Sequence, residues 1–281
     1  MRRAWLVVCA GALVLTVAAP GAAGGPVRPD ASREFDLAFR SAALRGELHY
    51  EVYLPGGYAS SGKRYPVVYF LHGLPASSVG YKAAGFVEQA LDKTGRQAIL
   101  VAPQGARDNE PDPEYVDHGP GDRWETAIAT ELPRIVDARY RTIRSRSGRA
   151  IIGLSAGGFG AMHNAIAHLG EFAAVESWSG YFHPTDPTGT KALSLGAAND
   201  VHEQIRATVA ELHRLPLFLA FYVGRGDARF EAENVQLNRE LAQDRIPHVF
   251  RLYTGGHDQR LWQTHARAWL VMALAHLAPA R

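Results

Sequence analysis

The sequence predicts an α/β fold in which a mostly parallel central sheet carries helices on both faces. Residues 65–71, 97–102, 149–154, 172–178 and 217–223 are short, nearly continuous apolar runs, as strands buried on both faces are. Residues 124–139, 157–169, 230–243 and 261–277 repeat apolar positions at helical spacing. Strand and helix patterns thus alternate along the chain, the order that builds a parallel sheet through crossover connections.

The remaining elements follow in order. Residues 34–40 and 47–54 alternate apolar and polar side chains, which predicts antiparallel strands ahead of the parallel set. Residues 248–253 read as a last strand. Two segments fit no regular element. Residues 107–122 are rich in Asp, Pro and Gly, and residues 182–199 carry Pro184, Pro187, Gly189 and Gly196. Loops this long in a compact domain are often functional, with a plain surface insertion as the competing reading. No internal repeat stands out.

The amino terminus reads as a targeting segment and not as fold. Arg2 and Arg3 precede an apolar stretch from Trp5 to Ala19, small residues follow, and cleavage is expected after Ala23. The apolar stretch is short for a membrane span and is closed by Pro20 and Gly21. Residues 24–33 form a Gly/Pro-rich lead-in, and residues 34–281 make one domain. The single cysteine, Cys9, falls in the leader, so the exported chain is expected to hold no thiol and no disulfide. Loss of Arg2 and Arg3 takes Lys+Arg from 30 to 28 against 28 Asp+Glu, a net charge of zero. That balance argues against a nucleic-acid or anionic-membrane partner and favours a neutral or weakly polar substrate.

The motif that carries chemistry is Gly153-Leu154-Ser155-Ala156-Gly157-Gly158. Gly-x-Ser-x-Gly alone is a weak pattern in a chain with 28 glycines. Here a buried strand pattern runs straight into it and a small-residue helix pattern leaves it. That setting is what a nucleophile elbow requires, with the serine on a tight, strained turn between neighbours that lack bulk. The competing reading is a glycine-rich turn with a helix-capping serine. Acyl transfer also needs two backbone N–H donors for the oxyanion. Ala156, after the serine, supplies one. Leu74 supplies the other, after Tyr69-Phe70-Leu71-His72-Gly73 at the end of an earlier strand. His72 lies upstream of the serine and is expected to make structural hydrogen bonds beneath the site.

In this arrangement an acid and then a histidine follow the nucleophile in the chain. His257, in Thr254-Gly255-Gly256-His257, leaves the last strand in a loop. His163, His168, His265 and His276 fall on helix patterns, and His183, His202 and His213 precede the acid candidate. That acid is Asp227, in Gly224-Arg225-Gly226-Asp227 just past the strand at 217–223, with Glu231, Glu233 and Asp258 as alternatives. An acid there orients the imidazole and stabilises its cation.

With those residues in place, the chain resembles the esterase family of α/β-hydrolases. That family includes feruloyl and acetylxylan esterases, S-formylglutathione hydrolase and the mycolyltransferases of the antigen 85 complex. The resemblance runs from about Tyr50 to Trp262. Its marks are Pro66 to Gly73, Arg123-Trp124-Glu125-Thr126 with Glu131-Leu132-Pro133, the Ser155 motif, Gly224 to Asp227, and Gly255-Gly256-His257 with Trp262. It implies an α/β-hydrolase fold and ester chemistry without metal or cofactor. Two positions depart from the family pattern. Gln259 stands where an aromatic side chain is common, and Ala156 stands where methionine is common, which implies a different pocket wall.

The leading reading is therefore a secreted serine esterase acting on small-molecule or carbohydrate esters. Tyr115 and Trp124 are its candidate stacking platforms for a sugar. An acyltransferase on cell-wall sugars or lipids would use the same triad. A binding protein on the same fold would not need all three residues in order.

Overall fold

The computed structural model describes residues 33–75, 77–108, 114–186 and 191–281. The expected leader and most of the lead-in lie outside the described residues. Eight strands form one sheet: β1 (Arg33–Ser41), β2 (Gly46–Leu54), β3 (Val67–Leu71), β4 (Ile99–Pro103), β5 (Arg149–Leu154), β6 (Ala174–Trp178), β7 (Phe218–Gly224) and β8 (His248–Tyr253). Their order across the sheet is β1-β2-β4-β3-β5-β6-β7-β8. β1 pairs antiparallel with β2 and β2 with β4, and every later pair is parallel. The antiparallel start and parallel remainder are those the two hydropathy patterns predict.

Successive side chains on a strand point to opposite faces, and the core divides accordingly. Tyr69, Ile151, Val175 and Phe221 pack on one face. Val68, Phe70, Ile152, Trp178 and Tyr222 pack on the other. β3, β4, β5 and β6 are buried along their whole length, whereas no residue of the edge strand β8 is fully buried. The helices are α1 (Gly85–Asp92), α2 (Trp124–Thr126), α3 (Leu132–Arg139), α4 (Ala156–Ala167), α5 (Val201–Arg214), α6 (Glu231–Gln243) and α7 (Gln259–Ala275). Buried residues of α1 and α7 join the second face, and those of α3, α4, α5 and α6 join the first. Among the described residues no helix is long and apolar enough to cross a membrane.

Local chemistry explains where the elements depart from expectation. The strand expected at 65–71 begins only at Val67, because Pro66 has no amide to give a ladder; Tyr65 makes a lone bridge to Thr142. The single helix expected at 124–139 is split into α2, a π turn at Ala127–Glu131, and α3. Pro133 cannot donate back to the Ala129 carbonyl, so a continuous ladder is impossible there. Helices α1 and α5 had no expected counterpart. α5 does carry a start signal: the Asp200 carboxylate accepts from Glu203 N at 3.0 Å.

α4, the helix that follows the Ser155 turn, is buried at nearly every position, which its run of glycine and alanine permits. Glu125 on α2 ties to it by accepting from His163 Nε2 at 3.0 Å and from His168 Nε2 at 2.8 Å. Burial alone would raise the Glu125 pKa, but the hydrogen bonds from His163 and His168 outweigh it and hold the carboxyl down to about 2. A depressed carboxylate contributes stability above its ordinary value near 4.5, and that stability is lost as pH falls toward 2. Glu125→Gln should therefore flatten the fall of the urea midpoint between pH 4.5 and pH 2 relative to the wild type. Parallel curves for the two proteins would show that the tie contributes nothing.

Candidate active site

The turn between β5 and α4 presents Ser155 at φ 54° and ψ −123°. This left-handed backbone is costly for a residue with a Cβ and is tolerated where the surroundings enforce it. The enforcement is steric. A Cβ at Gly153 would lie 2.0 Å from the Gly157 carbonyl oxygen, and one at Gly157 would lie 2.0 Å from the Leu71 carbonyl oxygen. Only hydrogens fit, so the turn is pressed against the end of β3. The Ser155 amide donates to the Trp178 carbonyl at 3.0 Å, fixing the turn to β6 as well.

Two loops at the same end of the parallel sheet, after β7 and β8, complete the group. His257 Nε2 lies 2.9 Å from Ser155 Oγ, and His257 Nδ1 lies 2.6 Å from Asp227 Oδ2. Asp227 is buried, Ser155 is 8% exposed, and the imidazole remains partly accessible. The loops after β7 and β8 are held together by backbone bonds, Arg225 N to Tyr253 O and Gly226 N to Gly255 O, both 2.8 Å. The structure thus brings Ser155, His257 and Asp227 together, although 102 residues separate the serine from the histidine.

Two of the alternative acids are engaged elsewhere. Asp258 caps α7 by accepting from Leu261 N at 2.9 Å, and Glu233 pairs with His183 and His202. Glu231 lies in the first turn of α6. The other histidines are also committed. His265 stacks on Tyr253 with ring centres 3.6 Å apart, and His276 stacks on Phe218 at 3.8 Å. His202 bonds Glu240 at 2.5 Å, and His213 bonds the Asp244 carbonyl at 3.0 Å.

The Gly73–Leu74 loop abuts the serine: a Cβ on Gly73 would lie 2.9 Å from that of Ser155. Ala156 is the first residue of α4, where backbone amides have no acceptor within the helix. Its side chain packs in the core. His72 is buried, which pushes its imidazole below the ordinary value; the ring's Nδ1 bonds the Gly73 carbonyl at 2.8 Å.

A cavity of about 460 Å³ opens over Ser155. Its walls include Phe70, Leu74, Phe86, Leu154, Phe230 and Trp262, with Ser77, Tyr181, Arg229, His257 and Gln259 as the principal polar groups. Most of these walls were not legible as a site. Phe86 sits on the unforeseen α1; Phe230 and Arg229 follow Asp227 closely enough to have been suspected.

Tyr115 and Trp124, expected to stack against a sugar, are both buried, and neither lines this cavity. The correction has a physical basis in packing. Gly160 and Gly105 leave space for the Tyr115 ring and hydroxyl, where a Cβ would lie 2.5 and 2.6 Å from them. The hydroxyl donates to the His72 carbonyl at 2.8 Å, bracing the loop before Gly73 from beneath. The neighbouring Glu114 carboxylate accepts from the Tyr181 hydroxyl and from Thr185. No described residue of the two long loops at 107–122 and 182–199 lines the cavity.

The chain belongs to the esterase family described as "Putative esterase", which it matches over residues 41–270. It is 33% identical over 145 residues to Esterase Rv1288 of Mycobacterium tuberculosis, a match covering 50% of this chain and 31% of that protein. The matched segment is thus about a third of that curated relative's length. Among solved structures, a ferulic acid esterase superposes with TM-score 0.77 and 25% identity, covering 88% of this chain and 99% of the other. An S-formylglutathione hydrolase of Staphylococcus aureus superposes with TM-score 0.71 at 19% identity, covering 85% and 99%, and shares the fold.

If Trp124 is core and not a sugar platform, Trp124→Ala should lower the unfolding free energy by about 3–5 kcal/mol in a denaturant titration. A loss below about 0.5 kcal/mol would mark an exposed residue instead.

Proposed function

We propose that this protein is a carboxylic ester hydrolase working through Ser155, His257 and Asp227. One observation carries the reading: a continuous relay from Ser155 Oγ through the imidazole to a buried carboxylate, at 2.9 and 2.6 Å, headed by a serine on a left-handed turn at a helix start. Such a serine is exposed to substrate on one side and to a general base on the other.

In this reading Ser155 Oγ attacks the ester carbonyl carbon while His257 Nε2 takes its proton. The negative charge moves to the carbonyl oxygen, which accepts from the amides of Leu74 and Ala156. Asp227 holds the imidazole in the tautomer that bears its proton on Nδ1 and stabilises the cation. The tetrahedral intermediate collapses, the alcohol leaves with the proton from His257, and the acyl group stays on Ser155. Water then gives a proton to His257 as it attacks the acyl carbonyl, and the second tetrahedral intermediate collapses as His257 returns that proton to Ser155 Oγ, releasing the acid and the free serine.

The size of the cavity and its aromatic walls favour acyl groups of small or moderate size over a long lipid chain. Hydrolysis is the leading reading and transfer to an alcohol its alternative, since one acyl-enzyme serves both. A carbohydrate ester as natural substrate rests on the likeness to a ferulic acid esterase alone, because the expected sugar platforms are buried. Export with removal of residues 1–23 completes the proposal, resting on the leader pattern of Arg2 to Ala23.

Ser155→Ala should lower turnover of a short-chain nitrophenyl ester by roughly 10³-fold or more, with folding retained by circular dichroism. His257→Ala should be comparably damaging, and His265→Ala should stay within about threefold of wild type. Asp227→Asn should cost about 10²–10⁴-fold by favouring the wrong tautomer. An active His257→Ala protein beside an inactive His265→Ala protein would overturn the assignment.

A further inference from the structure

Among the described residues that line the cavity, Arg229 is the only side chain with a permanent charge, and no carboxylate lines it. The guanidinium lies over the Phe230 ring, 4.9 Å from its centre. The centre of that ring lies 5.2 Å from the centre of the His257 ring. Arg229 therefore reaches within about 10 Å of the imidazole. No described residue gives it a hydrogen bond or an ion pair. Of the carboxylates close to it in the chain, Asp227 holds His257, Glu233 pairs with His183 and His202, and Glu231 lies in the first turn of α6; on the loop after β8, Asp258 accepts from Leu261 N and Gly256 N. Stacking on an aromatic face leaves the in-plane N–H fork of a guanidinium free, and that fork matches a carboxylate.

The position also selects one end of the substrate. The leaving alcohol departs toward His257, which protonates it, and Phe230 with Arg229 flanks that histidine. We propose that Arg229 is a specificity-determining residue that binds an anionic group on the alcohol part of the ester, so that the enzyme prefers esters of alcohols or phenols bearing a carboxylate. This deepens the esterase reading and rests on it. It also departs from the neutral substrate that the overall charge balance suggests, because one unpaired cation in a cleft outweighs distant charges that cancel.

The test compares two acetyl esters with the same leaving-group electronics, 3-(4-acetoxyphenyl)propanoate and the corresponding propanamide. Release of the phenol is followed for wild type, Arg229→Gln, Arg229→Glu and Ser155→Ala. The ratio of kcat/KM, carboxylate over amide, should fall by about fivefold in Arg229→Gln and further in Arg229→Glu. In the wild type the same ratio should decline as salt rises, because an exposed charge pair is screened. A ratio equal in wild type and Arg229→Gln, or indifferent to salt in the wild type, would overturn the proposal while leaving the esterase reading intact. Hydrolysis of both esters that persists in Ser155→Ala would instead sink the serine mechanism, and the Arg229 proposal with it.

Discussion

The rest of the structure depends on one close approach, that of the β5–α4 turn to the end of β3. At Gly157 the backbone passes so near the Leu71 carbonyl that no side chain fits, and at Gly153 it passes as near its own continuation. That contact holds Ser155 in a left-handed conformation whose cost is about 1–3 kcal/mol. The same approach sets the Gly73–Leu74 loop beside the serine and brings the start of α4 close against the sheet, where Gly157 and Gly158 leave room for it. Ser155, the Gly73–Leu74 loop and α4 are therefore parts of one steric arrangement.

The histidine and acid are fixed by a second, independent device. Their loops leave adjacent parallel strands, β7 and β8, and bond to each other through Arg225, Gly226, Tyr253 and Gly255. The imidazole is thus held from both sides, by Asp227 below and by Phe230 and Trp262 in edge contacts at 5.2 Å. Because the same aromatic rings wall the cavity, the group that holds His257 also shapes the space over Ser155.

Much of this was legible in the sequence, for identifiable reasons. Strands buried on both faces leave unbroken apolar runs, so β5 matches its expected bounds; the edge strand β8 matches as well, and the others differ by one or two residues. Ser155, His257 and Asp227 each sit at a strand exit marked by glycine, and their order in the chain constrains the choice. What the sequence could not carry is side-chain direction. Tyr115 and Trp124 are aromatic residues beside a polar loop, a pattern equally produced by a sugar platform and by a buried brace. Only the spaces at Gly105 and Gly160 separate the two, and neither glycine adjoins Tyr115 in the chain. Likewise Phe86 reaches the cavity from α1, too short a helix for its periodicity to stand out.

The central claim is that the strained turn makes Ser155, alone among the serines, a nucleophile. Labelling the intact protein with a fluorophosphonate and mapping the adduct by peptide mass spectrometry tests it most directly. The account predicts one adduct per chain, on Ser155. An adduct on another serine, or no adduct in a protein that still hydrolyses esters, would contradict it.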